Sequence, residues 1–414
     1  MYNKKIKKSI HSTRRNSGNR RIDIFILIMI LIIVAAPFIF NRPYRPDAGP
    51  KQAILFVSVQ LEEIFGKETT DKLRLDFESL NPDIQIRLAD HYGEPDIYIF
   101  DDGSYNFFIS TDVLIDLNHF SGYETGSRQY AVPLVSFMDL LFYNVNILTA
   151  AGFASPPKTR DEFTAYSRII ASRNFGVSPV AFSLNQNDRQ ALSRDIFSWI
   201  WAGGGNFFSD GEKPFLNTRA IVNDLTFFGN LNREGLLAPG IFSTSGEQRL
   251  DEFARGRIAM MVASARSIPY LKSRMREGSF GITTIPDSGA GGNYNIGISS
   301  IYSAISVNCL YPDEAWKFLE FLAEKSSYLC AELKAVPGKV SNLFPGDYIR
   351  DDPFYSKAWE IYEFAQVIEG FSGKPDADEY EIAFIEEFQI FFDTGRTAQA
   401  TVNAIQRRWD EVYQ

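Results

Sequence analysis

Cysteine and histidine are almost missing from this chain: 414 residues carry two of the first, Cys309 and Cys330, and three of the second, His11, His91 and His119. Their separations fit no zinc pattern. The two cysteines fix no geometry by themselves; they could pair outside the cytoplasm or stay as buried thiols. Nucleophile and phosphate-loop signatures are missing as well: there is no G-x-S-x-G, no G-x(4)-G-K-[ST] and no H-E-x-x-H. Gly203-Gly204-Gly205 lacks the G-x-G-x-x-G spacing and reads as a helix stop. With no placed base, no nucleophile pair and no cofactor motif, an enzyme is not expected, nor is a cofactor. Positive charge is scarce over most of the chain. Eight of the 42 basic residues fall within the first 21 positions, which hold no acid, while 51 acidic residues give a net charge of −9 overall. The body is therefore nearly twice as negative as the whole chain, which argues against a nucleic-acid partner.

What is present begins with an apolar run. Residues 24–40, IFILIMILIIVAAPFIF, follow the basic segment 1–23 and sit at the low edge of a membrane span. Positive charge stays inside, so the rest of the chain is expected outside. A cleavable signal peptide has the same layout; the long run and Pro37 after Ala35-Ala36 favour a retained anchor. Residues 41–51, with Pro43, Pro46 and Pro50, read as a stiff spacer. The remaining length suits two cores, and 35 Phe with 19 Tyr suit either core filling or carbohydrate stacking.

From residue 52 the order is strand (52–60), helix (about 69–80, stopped by Asn81-Pro82), strand (84–88) and strand (95–102), which predicts an α/β fold with a mostly parallel sheet. Ligands in such sheets sit off the carboxyl ends of strands, which places Gln60, Phe100, Asp101 and Asp102 beside a cleft. Adjacent strand residues point opposite ways, so Asp101 and Asp102 cannot flank one glycosidic bond; they solvate the strand end, or one of them, Asp102 in preference, accepts hydrogen bonds from ligand hydroxyls. Trp199 and Trp201 lie two apart on a helix and face different ways, and Trp201, beside the glycines, is the better cleft candidate.

The densest stretch is residues 130–163. Pro133 opens an apolar run ending at Tyr143-Asn144, a short helix closes at Gly152, Pro156-Pro157 forces an extended step, and Thr159 can cap a helix with acids in its first turn. The pattern P-x(9)-Y-N-x(7)-G-x(3)-P-P-x-T-x-x-E/F resembles the extracellular solute-binding proteins of sugar-type ABC importers, the maltodextrin-binding-protein-like group. Three further tracts share the likeness: PDI at 95–97, the helix and glycines of 196–208, and FARGRIAMM at 253–261.

The resemblance covers about residues 52–410. It implies a two-lobed periplasmic-binding-protein fold after a transmembrane segment, with three interlobe crossings near 135–137, 296–298 and 335–338. Lobe 1 would be 52–135 with 298–336, and lobe 2 would be 137–297 with 337–414. Crossing strands would offer Phe137 and Met138 to the ligand, with Asn295 just before the second, and Tyr380 would reach in from the late helices. Arg266 stands where many members carry a tryptophan, replacing a stacking platform by a fork of donors suited to carboxylate or phosphate. The implied function is capture of a sugar or a polar, anionic sugar derivative by hinge closure and delivery to an ABC permease, in the periplasm or cell envelope. A membrane-anchored solute sensor is the other reading.

Overall fold

The computed structural model describes residues 52–413 apart from 90–92, 121–128, 174, 186–191, 209–212, 289–293, 339–346, 369, 372 and 375. The expected anchor and spacer lie outside the described residues. Among the described residues, no helix is long and apolar enough to cross a membrane.

Strands β1 (Ala53–Val57), β2 (Ile84–Leu88) and β3 (Ile97–Asp101) run parallel, in register from Ala53 opposite Ile84 to Val57 opposite Ile97. Helix α1 (Lys67–Leu80) covers them because Leu73 and Phe77 fall on one face, and it stops where Asn81 N–H turns back to Phe77 O. The Phe77 ring meets Phe318 edge-on at 4.9 Å.

Two long strands decide the architecture. β4 (Val132–Asn144) is thirteen residues long and β8 (Tyr294–Ile305) twelve. At about 3.3 Å per residue, β4 spans roughly 40 Å, more than one small core needs. Its first half pairs with β8 and with β9 (Val336–Pro337); its second half pairs with β6 (Ile258–Ser264) and β7 (Phe280–Thr283). β8 pairs with β3 at one end and with β10 (Ala365–Ile368) at the other, while β5 (Ser178–Ala181) flanks β6.

A core containing Leu55, Ile97, Val135 and Phe318 lies on the β1–β3 side. The far half of β4 separates two more cores: Leu141 faces Phe163, Trp199 and Phe228, whereas Leu140 and Phe142 face Phe253 and Tyr362. This is period-two alternation inside a strand buried on both faces.

The expectation of a mostly parallel sheet is corrected: the sheet is mixed. β4 pairs antiparallel with β6, β7, β8 and β9, and β3 pairs antiparallel with β8. The long strands traverse the molecule in opposite directions, so their contact is antiparallel whatever the order inside each lobe.

Local expectations around β4 hold in detail. Gly152 ends its helix at φ +95°, and the Thr159 hydroxyl accepts from Glu162 N at 3.2 Å to start α2 (Arg160–Ser172). One element had no sequence signal. Ser193–Phe197 forms a π-helical turn leading into α3 (Ser198–Ala202), and it brings Arg194 and Asp195 to the crossing. Cys309 and Cys330 are free thiols.

Candidate functional site

The carboxyl ends of β1 and β3 open onto a cavity of about 450 Å³ lined by Ser58, Gln60, Tyr98, Phe100, Asp101 and Phe108, among others. Parallel strands reach this edge pointing the same way, which is why the site forms here. Aromatic faces supply one wall: Phe108 lies 4.8 Å from both Tyr98 and Phe100, and Phe100 stacks on Tyr302 at 5.9 Å. The buried Ser58 hydroxyl is committed to the backbone, accepting from Ile99 N at 2.9 Å. Gln60 and Asp101 also line it, Gln60 exposed and Asp101 half-buried, its Oδ1 accepting from the Ser104 hydroxyl at 3.4 Å.

Of the sequence candidates, Gln60, Phe100 and Asp101 thus share one cavity. Asp102 turns the other way, taking the Ser300 N–H and the Tyr302 hydroxyl, the latter at 3.0 Å. That follows from its place: β3 ends at Asp101, and Asp102 begins the helix Asp102–Ser110.

Residues of the crossings are packed. Phe137 is buried in the β1–β3 core with the Arg266 guanidinium 5.6 Å from its ring, and Met138 is buried among the β6 and β7 residues. Arg266 itself is exposed. Trp201 is 2% exposed; among the described residues its indole Nε1 and the Asn295 Oδ1 have no hydrogen-bond partner. Tyr380 lies in the core beside Phe371, ring centres 5.6 Å apart, with its carbonyl taken by Trp409 Nε1 at 2.8 Å.

Three features escaped the sequence reading. Gly297 and Gly370 hold the Trp201 ring between them: a Cβ on Gly297 would lie 2.7 Å from Cζ3, and one on Gly370 2.9 Å from Cζ2. The segment that follows reaches across to the β3 side, where Gly373 N donates to Asn106 Oδ1 at 2.9 Å and Gly373 sits against the Tyr105 ring. Asp139, one residue past Met138, is 6% exposed, and burial pushes its carboxyl up to about 7. An acid alone in V-S-F-M-D-L-L-F was a usable signal, because a charge in a strand buried on both faces demands a reason.

Two sets of cores joined by long shared strands, with a ligand-sized cavity at the carboxyl ends of parallel strands, define a two-lobed α/β binding protein. A model of the bacterial extracellular solute-binding protein family matches residues 55–328, and the chain belongs to that family. It is a family of binding proteins, and this chain is not an enzyme. A Deinococcus radiodurans protein named as an ABC transporter-binding protein is 23% identical over 249 residues, 57% of this chain and 58% of that one. The chain spans about half the length of the curated relatives it matches.

Among solved structures, the sugar-binding protein MalE of Xanthomonas citri superposes with a TM-score of 0.68 at 17% identity, covering 87% of this chain and 97% of that one. UgpB of Mycobacterium tuberculosis, in complex with glycerophosphocholine, gives 0.66 at 19%, covering 88% and 98%. At these identities the likeness establishes the fold.

Proposed function

We propose that this protein captures a sugar or sugar-like solute in the cavity at the ends of β1 and β3, closes over it by hinge motion, and hands it to an ABC permease. The carrying observation is that cavity: its volume falls in the range of about 300–1,000 Å³ usual for small ligands, and aromatic walls flank a few polar groups. Tyr98, Phe100 and Phe108 offer faces to the apolar side of a sugar ring, while Gln60 and Asp101 offer partners for its hydroxyls. In this reading lobe 1 is 52–135 with 298–336 and lobe 2 is 137–297 with 337–414. Relatives named for sugar and glycerophosphocholine binding support the solute class, and the name of the Deinococcus relative supports the permease.

The test is a thermal-shift screen of sugars, sugar acids, polyols and glycerophosphodiesters. At a hundredfold excess over Kd a true ligand adds about 2.7 kcal/mol of stability. Asp101→Ala should abolish the shift. Arg266→Ala should weaken an anionic ligand by about 1.5–3 kcal/mol, the value of one charge-assisted hydrogen bond. A screen in which no compound raises the midpoint would sink the solute reading, and an Arg266→Ala affinity within twofold of wild type would make that residue a surface arginine.

Residues 24–40 complete the proposal as a retained anchor, with the body outside the cytoplasmic membrane. Mapping the mature N-terminus checks this: a start after residue 36 would mean cleavage.

A further inference from the structure

Asp139 sits where β4 changes partners. Met138 is the last residue of β4 to pair with β8, opposite Ile298, and Asp139 is the first to pair with β6, opposite Ser264. Its Oδ2 is 3.0 Å from where a Cβ of Gly297 would be, so it occupies space that only glycine leaves open. Among the described residues no hydrogen bond reaches its carboxyl.

The charged groups around it come from both sides of the cleft. Asp102 approaches from the β3 side, and Asp195 with Arg194 from the π-helical turn. The Arg194 cation is shared with Asp195, Nε to Oδ1 3.3 Å. Asp102 already holds the Tyr302 hydroxyl and the Ser300 N–H, so neither donor is directed to Asp139. From β6, Ser264 Oγ accepts from Arg266 N at 3.4 Å, and the Arg266 guanidinium stands over Phe137. Gly297 brings no side chain, and Trp201 brings the hydrocarbon edge of its ring. An ionised Asp139 here would face two carboxylates, be nearly dry, and have one cation already engaged by a neighbour.

We propose that closing the cleft takes up a proton on Asp139, so that solute capture is tighter in acidic surroundings and loosens as pH rises. On the hinge reading the arrangement described is the closed one, with Asp102 near Asp139, Gly370 against Trp201 and Gly373 bonded to Asn106. Opening moves Asp102 away with its lobe and admits water, returning the carboxyl toward its ordinary value near 3.8. Below that value both forms are protonated and pH has no effect. Between it and about 7 the open form ionises while the closed form does not, and each pH unit weakens closure by up to about tenfold. Above about 7 both are ionised and the dependence levels off.

The inference rests on the hinge reading above but needs no identified solute. Full-length wild type, Asp139→Asn and Asp102→Asn are compared from pH 5 to 8.5 by solution scattering and thermal unfolding, with no solute added. Wild type should expand as pH rises from 5 to 8, whereas Asp139→Asn, neutral and near-isosteric, should stay compact and gain unfolding midpoint over wild type only at the upper end. Asp102→Asn, which removes the facing carboxylate, should shift the expansion to higher pH. An unchanged wild-type radius between pH 5 and 8, or Asp139→Asn opening alongside it, overturns the proposal. A pH-dependent radius with no response to any screened compound would instead sink the solute reading and leave the proton coupling standing.

Discussion

Replacing Asp224 with alanine is expected to lower the unfolding free energy by about 3–5 kcal/mol, because it strands a buried cation. Arg160 and Asp224 have side chains 8% and 2% exposed and form a direct ion pair. The guanidinium also donates from Nη2 to Trp199 O at 2.6 Å, tying α2 to the helix that carries both tryptophans. Gly203 permits this approach: a Cβ there would lie 2.7 Å from Arg160 Nη2. Arg160 is itself buried, so removing its partner leaves a charge in a low-dielectric core. Asp224→Asn keeps an acceptor and should cost less. Chemical denaturation of the two variants checks the ordering, and an Asp224→Ala loss under about 1 kcal/mol would mean the arginine escapes to solvent.

Phe371→Ala should be of similar size, about 3–5 kcal/mol for a large ring removed from a packed core. The ring is 1% exposed and meets Phe197, Phe207, Tyr380 and Trp409 with centres 5.4–5.7 Å apart. Its position gives the loss a second readout. Phe371 follows Gly370, which abuts Trp201, and precedes Gly373, which bonds Asn106 on the helix Asp102–Ser110. Freeing the ring should loosen that strap, so amide exchange in residues 102–110 should speed up along with the fall in stability. A destabilised variant with unaltered exchange there would show that the Gly373–Asn106 contact does not depend on this anchor.

Much of the frame was legible because local rules and tertiary demands agree. The Thr159 cap and the Gly152 stop are each stated by a few neighbouring residues. Pairing direction was not legible, since periodicity says which face of a strand is buried and nothing about its neighbour's heading. Aromatic residues were the weakest guide to the site. Trp201 and Tyr380, expected at the cleft, are both buried here, and a ring's stacking capacity is the same in cleft or core.

Gly297 and Gly338 lie on two of the expected crossings. Neither has a positive φ; each is instead required by close approach, Gly338 so tightly that a Cβ would lie 2.4 Å from the Pro133 carbonyl carbon. Asp139 lies in an otherwise apolar run directly after Phe137 and Met138, where a strand motif carries no mark of its burial.

The pairing of β3 with β8 has a consequence for how the chain comes into being. Ile99 lies opposite Ser303 and Tyr98 opposite Ala304, so the open edge of the first strands finds its neighbour only after some two hundred further residues have been made. At about 5–20 residues per second of synthesis, that edge waits roughly 10–40 s. Throughout that interval the amino-terminal half is a strand edge without a partner, unable to close its core and prone to pair with another chain. Ribosomal emergence therefore leaves a long window in which the polypeptide is still threadable through a translocation pore, and in which a holding chaperone has a defined edge to cover.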